Sequence, residues 1–243
     1  VYVSSGEGTT SQGDFHEALN WASREKAPVI FHVENNGYAI SVPIADQTAG
    51  ASVYKITAGY ENLARLSIDG TNYFESLMAF NKAVDRARKG HGPTIIESHV
   101  VRLLPHSSSD DHRKYRDADE LDNDKLKDPI DLFKASCISN KIINQNEFDS
   151  IDSNILDEIN NLTIWTEKQE DPKSSDYFKN LYADNQKFMD SPNSEGDSIV
   201  LVDAINHAMD EELKFNDKTL VYGQDIAGGK GGVFTATRAL TDK

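Results

Sequence analysis

The chain has 243 residues, with 25 Lys and Arg against 40 Asp and Glu and a formal net charge of −15. No basic stripe is present to release counterions from nucleic acid, which excludes nucleic acid as the main partner. One cysteine, Cys137, excludes an internal disulfide framework, and no apolar run approaches the roughly 20 residues that cross a bilayer. No membrane partner and no signal peptide are expected, and the expected setting is the cytoplasm.

Val1–Val3 reads as a buried strand entering a turn, Gly6-Glu7-Gly8. Ser11 to Lys26 reads as a helix, with Phe15, Ala18, Leu19 and Ala22 at the spacing of one apolar face. Pro28 ends it, and Val29–Val33 follows as a β-branched strand that runs into a loop at Glu34-Asn35-Asn36-Gly37-Tyr38. Glu61–Leu66 is expected as a short helix and Leu66–Ile68 as a short strand. Thr71 is a candidate cap for an amphipathic helix over Phe74–Lys89, which Gly90, Gly92 and Pro93 stop. Thr94–Val101 is another strand. This alternation implies an α/β fold, a parallel sheet with flanking helices. Ligands of such sheets bind at the carboxyl ends of the strands, where the turns at 6–13 and 34–38 both lie.

Residues 105–127 read as a polar loop, and 128–188 as an irregular helical stretch with an apolar stripe at Ile151, Ile155, Ile159 and Leu162. Ser191–Asp197 reads as a linker. Ile199–Phe215 reads as a helix and Thr219–Tyr222 as a strand, followed by a flexible loop over 228–232. The charge is uneven: residues 110–197 carry a net −11, and the segments on either side carry −2 each. The expected organisation is a compact module over 1–127, an acidic helical tail and linker over 128–197, and the start of a second α/β domain over 198–243. The chain begins without Met, on strand-like residues, and stops at Thr241-Asp242-Lys243 just after a helical-looking segment. Truncation at both ends is expected.

Gly6, Gly8 and Gly13 are spaced wrongly for a dinucleotide fingerprint, and Gln224 and Gly231 break a P-loop around Gly229-Lys230. What remains is Glu7 at the end of one strand and Asn36 at the end of the next, 29 residues later. That is about one βαβ unit, so adjacent parallel strands bring both side chains to one edge. A carboxylate, an amide oxygen and a nearby backbone carbonyl suit an octahedral Mg²⁺ whose other ligands are phosphate oxygens and water. The Gly8-Thr9-Thr10 amides and the start of the following helix can hold those phosphates.

These residues resemble the thiamine diphosphate motif of thiamine-dependent enzymes. The nearer resemblance is to the α subunit of the 2-oxo acid dehydrogenases. It is carried by Gly6-Glu7-Gly8, Gln12-Gly13-Asp14, Glu17, Asn20, Pro28–Phe31, Glu34–Ser41, the run His106-Ser107-Ser108-Ser109-Asp110-Asp111, and Tyr115-Arg116. The resemblance implies thiamine diphosphate and Mg²⁺ as cofactors, with Glu7, Asn36 and the Tyr38 carbonyl as metal ligands. Glu7 stands where Asp is commoner. Gly6, Gly8 and Thr9 would line the cofactor, and His106 would lie over it as the catalytic histidine. Ser107 matches a position phosphorylated in mitochondrial relatives and reads here as a plain loop residue.

Ser198–Lys243 resembles the beginning of the β subunit of the same enzymes, with Gln224 where Glu is usual. A fused α/β chain is therefore implied, a piece of an enzyme that decarboxylates a branched-chain 2-oxo acid or pyruvate. Its implied partners are a lipoyl-bearing acyltransferase and the β-like part, in a homodimer or α2β2-like assembly. The piece alone is expected to have no turnover. Two other readings are a non-catalytic diphosphate-binding or assembly module and a transketolase-like enzyme. The remaining histidines read as bland: His16 as a possible cap, His32 as a strand residue, His99 and His112 without partners. Cys137 reads as packed in a helix.

Overall fold

The computed structural model describes residues 1–182, 196–223, 225–228 and 230–241. They form two units, Val1–Gln169 and Glu170–Lys243. Most of the linker expected at Ser191–Asp197, with Gln224 and Gly229, lies outside the described residues.

The first unit opens with Tyr2–Gly6 (β1), a 3-10 turn at Glu7–Ser11, and Gly13–Arg24 (α1). Ile30–Asn35 (β2) leads into a minimal antiparallel hairpin, Tyr38–Ala39 (β3) with Val42–Pro43 (β4). Two short helices follow, Ile44–Gln47 (α2) and Val53–Ile56 (α3), then Ala64–Asp69 (β5), Tyr73–Arg88 (α4) and Thr94–His99 (β6). Strands β1, β2, β6 and β5 lie side by side in that order, each pair parallel.

The central strands β2 and β6 bury both faces, as strands of a parallel sheet do. Val1–Val3 is not the buried strand expected: β1 lies at the sheet edge, with Val1, Tyr2 and Val3 exposed. Phe31, Val33 and Ile95 pack with Leu19 and Ala22 of α1 and Val53 of α3. On the opposite face Ile30, Ile68 and Ile96 pack with Ala79 and Ala83 of α4. Consecutive residues of the central strand β6 thus serve opposite cores, and Ile95 and Ile96 are both 0 % exposed. Each contributes about 1.5–3 kcal/mol of burial. The expected apolar faces hold only in part. Helix α1 meets the sheet through Phe15, Leu19 and Ala22 while Ala18 is exposed, and α4 packs through Ala79 and Ala83 while Phe74, Leu77 and Met78 are exposed.

Several local expectations give way to tertiary context. Glu61–Leu66 is not a helix: Asn62 sits at φ 66, which no right-handed helix accommodates, and Ala64 already pairs with Thr94 as the first residue of β5. Thr71 does not cap α4. It donates to the Asp69 carboxylate at 2.6 Å, and Asn72 is the cap, accepting from the Phe74 and Glu75 amides. The expected helix from Ser11 begins at Gly13, after the 3-10 turn.

Residues 105–127 are not all loop. A 3-10 turn forms at His112–Lys114 and a helix at Ala118–Lys125 (α5). Its sequence has no apolar stripe to announce it; Arg116 holds it by pairing with Glu120 and Asp124. Pro129–Ser139 (α6) buries Cys137, and Gln145–Glu167 (α7) starts on an Asn144–Glu147 capping box. The stripe on α7 is about half exposed, from 49 % at Ile151 to 54 % at Leu162.

The second unit contains a 3-10 turn at Ser174–Phe178, the helix Leu201–Phe215 (α8) and a 3-10 turn at Val233–Thr235. Asn206 on α8 donates to the carbonyls of Ala236 and Arg238. Thr219–Tyr222 is irregular rather than a strand. No neighbouring strand is present among the described residues of this unit to pair with it, and Leu220 and Tyr222 are exposed. No described helix in the chain is long and apolar enough to cross a membrane.

Candidate functional site

Strands β1 and β2 run in register, Gly6 beside Glu34, so both release the chain at the same edge of the sheet. Glu7 and Asn36 meet there. Glu7 is 1 % exposed, and its Oε2 accepts the Asn36 N–H at 3.2 Å. Asn36 Oδ1 in turn accepts the Tyr38 N–H at 3.2 Å, across a turn in which Gly37 takes φ 86. Glycine adopts that backbone conformation without the steric penalty of a side chain.

Burial pushes the Glu7 carboxyl above its ordinary range, and the amide donors with the more distant charge of Arg102 offset this only in part. Glu7 forms no ion pair among the described residues. A carboxylate taken out of water without a counter-charge favours a cation beside it. Among the described residues no three His, Cys, Asp or Glu side chains gather as a metal-binding group. A cation here would rest on carboxylate, amide and carbonyl oxygens, the hard donors that suit Mg²⁺.

The turn bearing Glu7 is braced from two sides. The buried Thr10 hydroxyl donates to the Glu7 carbonyl at 2.6 Å. Gln47 Nε2 donates to the Gly8 carbonyl at 3.0 Å and to Ser11 Oγ at 2.8 Å. Its Oε1 is buried without a partner. Gly8 lies so near the hairpin that a Cβ there would come within 2.9 Å of the Ala39 Cβ. Thr9 is exposed at the crest of the turn, just before α1.

The neighbouring Asn35 turns inward. Its Nδ2 donates to Glu97 Oε1 at 2.7 Å, and its Oδ1 accepts the Gly37 N–H at 2.9 Å. Glu97, 0 % exposed on β6, also accepts from the Val53 and Tyr54 amides and the Ser52 hydroxyl. Burial alone would raise its pKa, but these donors together hold it below the ordinary range.

Arg102 links the hairpin to the loop that follows β6. It donates to the Ile40 carbonyl at 2.7 Å and to the Tyr115 hydroxyl at 2.8 Å. Tyr115 donates to Asp110 at 2.6 Å, and Asp110 accepts the His106 N–H at 2.9 Å. Tyr38 is held from beyond this loop, its hydroxyl donating to Glu120 at 2.9 Å.

The structure therefore brings Gly6, Glu7, Gly8, Thr9, Asn36 and Tyr38 to one edge. His106 is exposed on the loop, and its imidazole forms no hydrogen bond among the described residues. It joins the edge only through the relay from Asp110 to Arg102. The sequence places Asn35 in the motif without a role of its own, and Gln47, Glu97 and Arg102 were passed over. Glu97 alone left a signal, an acid inside the apolar run Thr94-Ile95-Ile96. Of the other histidines, His16 bonds Tyr60 rather than capping α1, and His99 bonds Ser67 at 2.9 Å, so it does have a partner. His32 lies between Tyr2 and Ser98, while His112 Nδ1 is buried without a partner.

Comparison with known proteins bears on this site. The chain is 38 % identical over 177 residues to 2-oxoisovalerate dehydrogenase subunit alpha of Bacillus subtilis, covering 73 % of this chain and 52 % of that protein. It is 40 % identical over 130 residues to 3-methyl-2-oxobutanoate dehydrogenase subunit alpha of Mycobacterium tuberculosis, covering 54 % and 35 %. It is 35 % identical over 156 residues to pyruvate dehydrogenase E1 component subunit alpha of Acholeplasma laidlawii, covering 64 % and 45 %. The chain thus spans about half the length, or less, of these relatives. The match to the family described as "Dehydrogenase E1 component" covers residues 1–175, which hold the whole sheet, the Glu7–Asn36 edge and the His106 loop. With that extent of match, the chain belongs to the dehydrogenase E1 component family.

Proposed function

We propose that the complete protein is a thiamine diphosphate-dependent 2-oxo acid dehydrogenase component. In this reading it decarboxylates a 2-oxo acid and passes the acyl group to a lipoyl carrier on a partner acyltransferase. The observation that carries the proposal is the buried, unpaired Glu7 carboxylate facing Asn36 at the carboxyl edge of two adjacent parallel strands. That edge is where α/β sheets take ligands.

The donor set fits the cofactor's metal. Glu7, the Asn36 amide oxygen and the Tyr38 carbonyl would hold Mg²⁺, whose charge would neutralise the carboxylate that burial disfavours. Gly6, Gly8 and Thr9 would line the diphosphate, with the start of α1 adding its amides and dipole. Thiamine diphosphate, when bound, supplies the nucleophilic carbon and the electron sink that decarboxylation requires. The protein's own share is to fix the diphosphate and to exclude water around it. His106, on a loop tied to the edge through Arg102, would present its imidazole to the acyl group as a positioned donor.

The relatives' names include both branched-chain 2-oxo acid and pyruvate dehydrogenases. We favour a branched-chain substrate, on the stretch Gly37–Ser41 and the serine-rich loop. Residues 198–243 lie beyond the family match, and their β-subunit-like pattern supports a fused chain. The site would be completed by the β-like part in a homodimeric or α2β2-like assembly.

The test is calorimetry of thiamine diphosphate on the complete protein, with and without Mg²⁺, in wild type and Glu7→Ala. Wild type should bind only with Mg²⁺, and Glu7→Ala should lose most of that binding. Equal binding by the two would remove the metal assignment.

A further inference from the structure

Glu97 lies within the buried stretch Thr94–Ser98 of β6, and nothing in the proposed function uses it. A buried carboxylate is a poor device for stability alone, because an apolar side chain of similar volume commonly serves a core as well or better. Its surroundings indicate another purpose. Oε1 accepts from Asn35 Nδ2 at 2.7 Å and from the Val53 amide at 3.0 Å. Oε2 accepts from Ser52 Oγ at 2.9 Å and from the Tyr54 amide at 2.8 Å. The end of β2 and the first turn of α3 are thus joined at one point.

The bond to Asn35 also sets a polarity. With its NH2 group committed to Glu97, Asn35 must turn its carbonyl oxygen to the chain ahead, where it accepts the Gly37 N–H at 2.9 Å. That bond closes the turn that presents Asn36 to Glu7. A reversed amide would set NH2 against N–H, donor against donor. The carboxylate is held ionised by its donors, so it acts as an acceptor at neutral pH.

We infer that Glu97 is a positioning residue for the cation site, fixing the Asn36–Tyr38 turn against Glu7 through the side chain of Asn35. The inference rests on the function proposed above and adds to it a residue that touches neither cation nor cofactor.

Its test is a Mg²⁺ titration of thiamine diphosphate binding by calorimetry. The complete protein is compared in wild type, Glu97→Gln, Asn35→Ala and Ser52→Ala, with a melting curve for each. Glu97→Gln and Asn35→Ala should raise the Mg²⁺ concentration for half-saturation by about tenfold or more, the usual consequence of losing a partner that orients a metal ligand. Ser52→Ala removes a bond on the α3 side only. It should lower the melting temperature while keeping Mg²⁺ half-saturation within about twofold of wild type.

If Glu97→Gln and Asn35→Ala also stay within that range, or if Ser52→Ala shifts Mg²⁺ dependence as far as they do, Glu97 serves the fold alone and the inference is overturned. Should Glu97→Gln fail to fold, Asn35→Ala against Ser52→Ala decides by the same criterion. Wild-type binding that ignores Mg²⁺ would instead overturn the metal reading itself, an outcome visible without any variant.

Discussion

Asn35 on β2 donates its side-chain amide to Glu97 on the adjacent β6 at 2.7 Å, in the buried interior beneath the functional edge. The next residue, Asn36, gives its backbone amide to a different buried glutamate, Glu7. Two successive asparagines therefore serve two carboxylates of opposite character. Glu97 is saturated by protein donors, while Glu7 is left short of them. The saturated one joins β6 to β2 and α3, and the other is the one proposed to hold the cation.

Asn35→Asp would set two carboxylates at hydrogen-bond distance in the interior and remove the donor between them. We expect a loss of roughly 3–5 kcal/mol, as for an uncompensated buried charge. Asn35→Ala, which leaves Glu97 one donor short and the Gly37 N–H without its acceptor, should lose about 1–3 kcal/mol. Urea unfolding of the complete protein at neutral pH measures both. Equal stability of the two variants would mean that the Asn35 amide does not face Glu97.

The two glutamates should also differ in pH dependence. Glu97 has its pKa lowered from 4.5, so its contribution to stability is present above pH 4.5 and is lost as pH falls through the lower folded value. Glu97→Gln should remove that acid-side loss. Glu7 has its pKa raised from 4.5, so without metal its effect is reversed, and stability falls as pH rises from 4.5 through the raised value. Glu7→Gln should flatten that decline, and Mg²⁺ affinity in wild type should weaken as acid protonates Glu7. Unfolding free energies across this range, without added metal, would show the two slopes with opposite sign.

Gly8→Ala would bring a methyl group within 2.9 Å of the Ala39 Cβ and push the hairpin away. We expect a cost of about 1–3 kcal/mol, as for overpacking elsewhere. A Cβ at Gly6 meets nothing within 4 Å, and its backbone is already extended. Gly6→Ala should therefore leave the melting temperature nearly unchanged while weakening thiamine diphosphate binding, if the diphosphate lies against this turn as proposed. Melting curves together with calorimetry separate the two effects.

Arg116→Met should release α5. The Arg116 side chain is 1 % exposed and pairs with Glu120 and Asp124 while donating to the Arg102 carbonyl at 3.0 Å. Without it, residues 105–127 should open locally and be cleaved by a protease about tenfold faster, with the rest of the first unit intact. An unchanged cleavage pattern would show that other contacts hold the segment.

The sheet and the Glu7–Asn36 edge were legible because they follow from simple spacing, a β-branched run, a helical period and one βαβ length. What was not legible depends on contacts remote in sequence. Glu61–Leu66 has good helix formers, yet Ala64 is drawn into β5 by β6, which the chain supplies 30 residues later. The polar helix α5 exists through one buried arginine. Asn35 and Asn36 look interchangeable in the sequence, and only the strand beside β2 separates their duties. A glutamate within an apolar strand marks a buried charge that must find donors, but the donors at Ser52, Val53 and Tyr54 are the cap and first residues of a helix four residues long.

The pairing of Gly6 with Glu34 and of Asn35 with His99 has a consequence for how this architecture tolerates insertions and deletions. Side chains on a strand alternate between faces, so adding or losing one residue between Val29 and Asn36 would exchange the inward and edge-facing asparagines. A residue added in the turn at Gly90–Gly92 leaves every pairing as it was. Length is therefore negotiable at the amino ends of the strands and fixed at their carboxyl ends, and homologues of any size should differ in the former while keeping the latter to the residue.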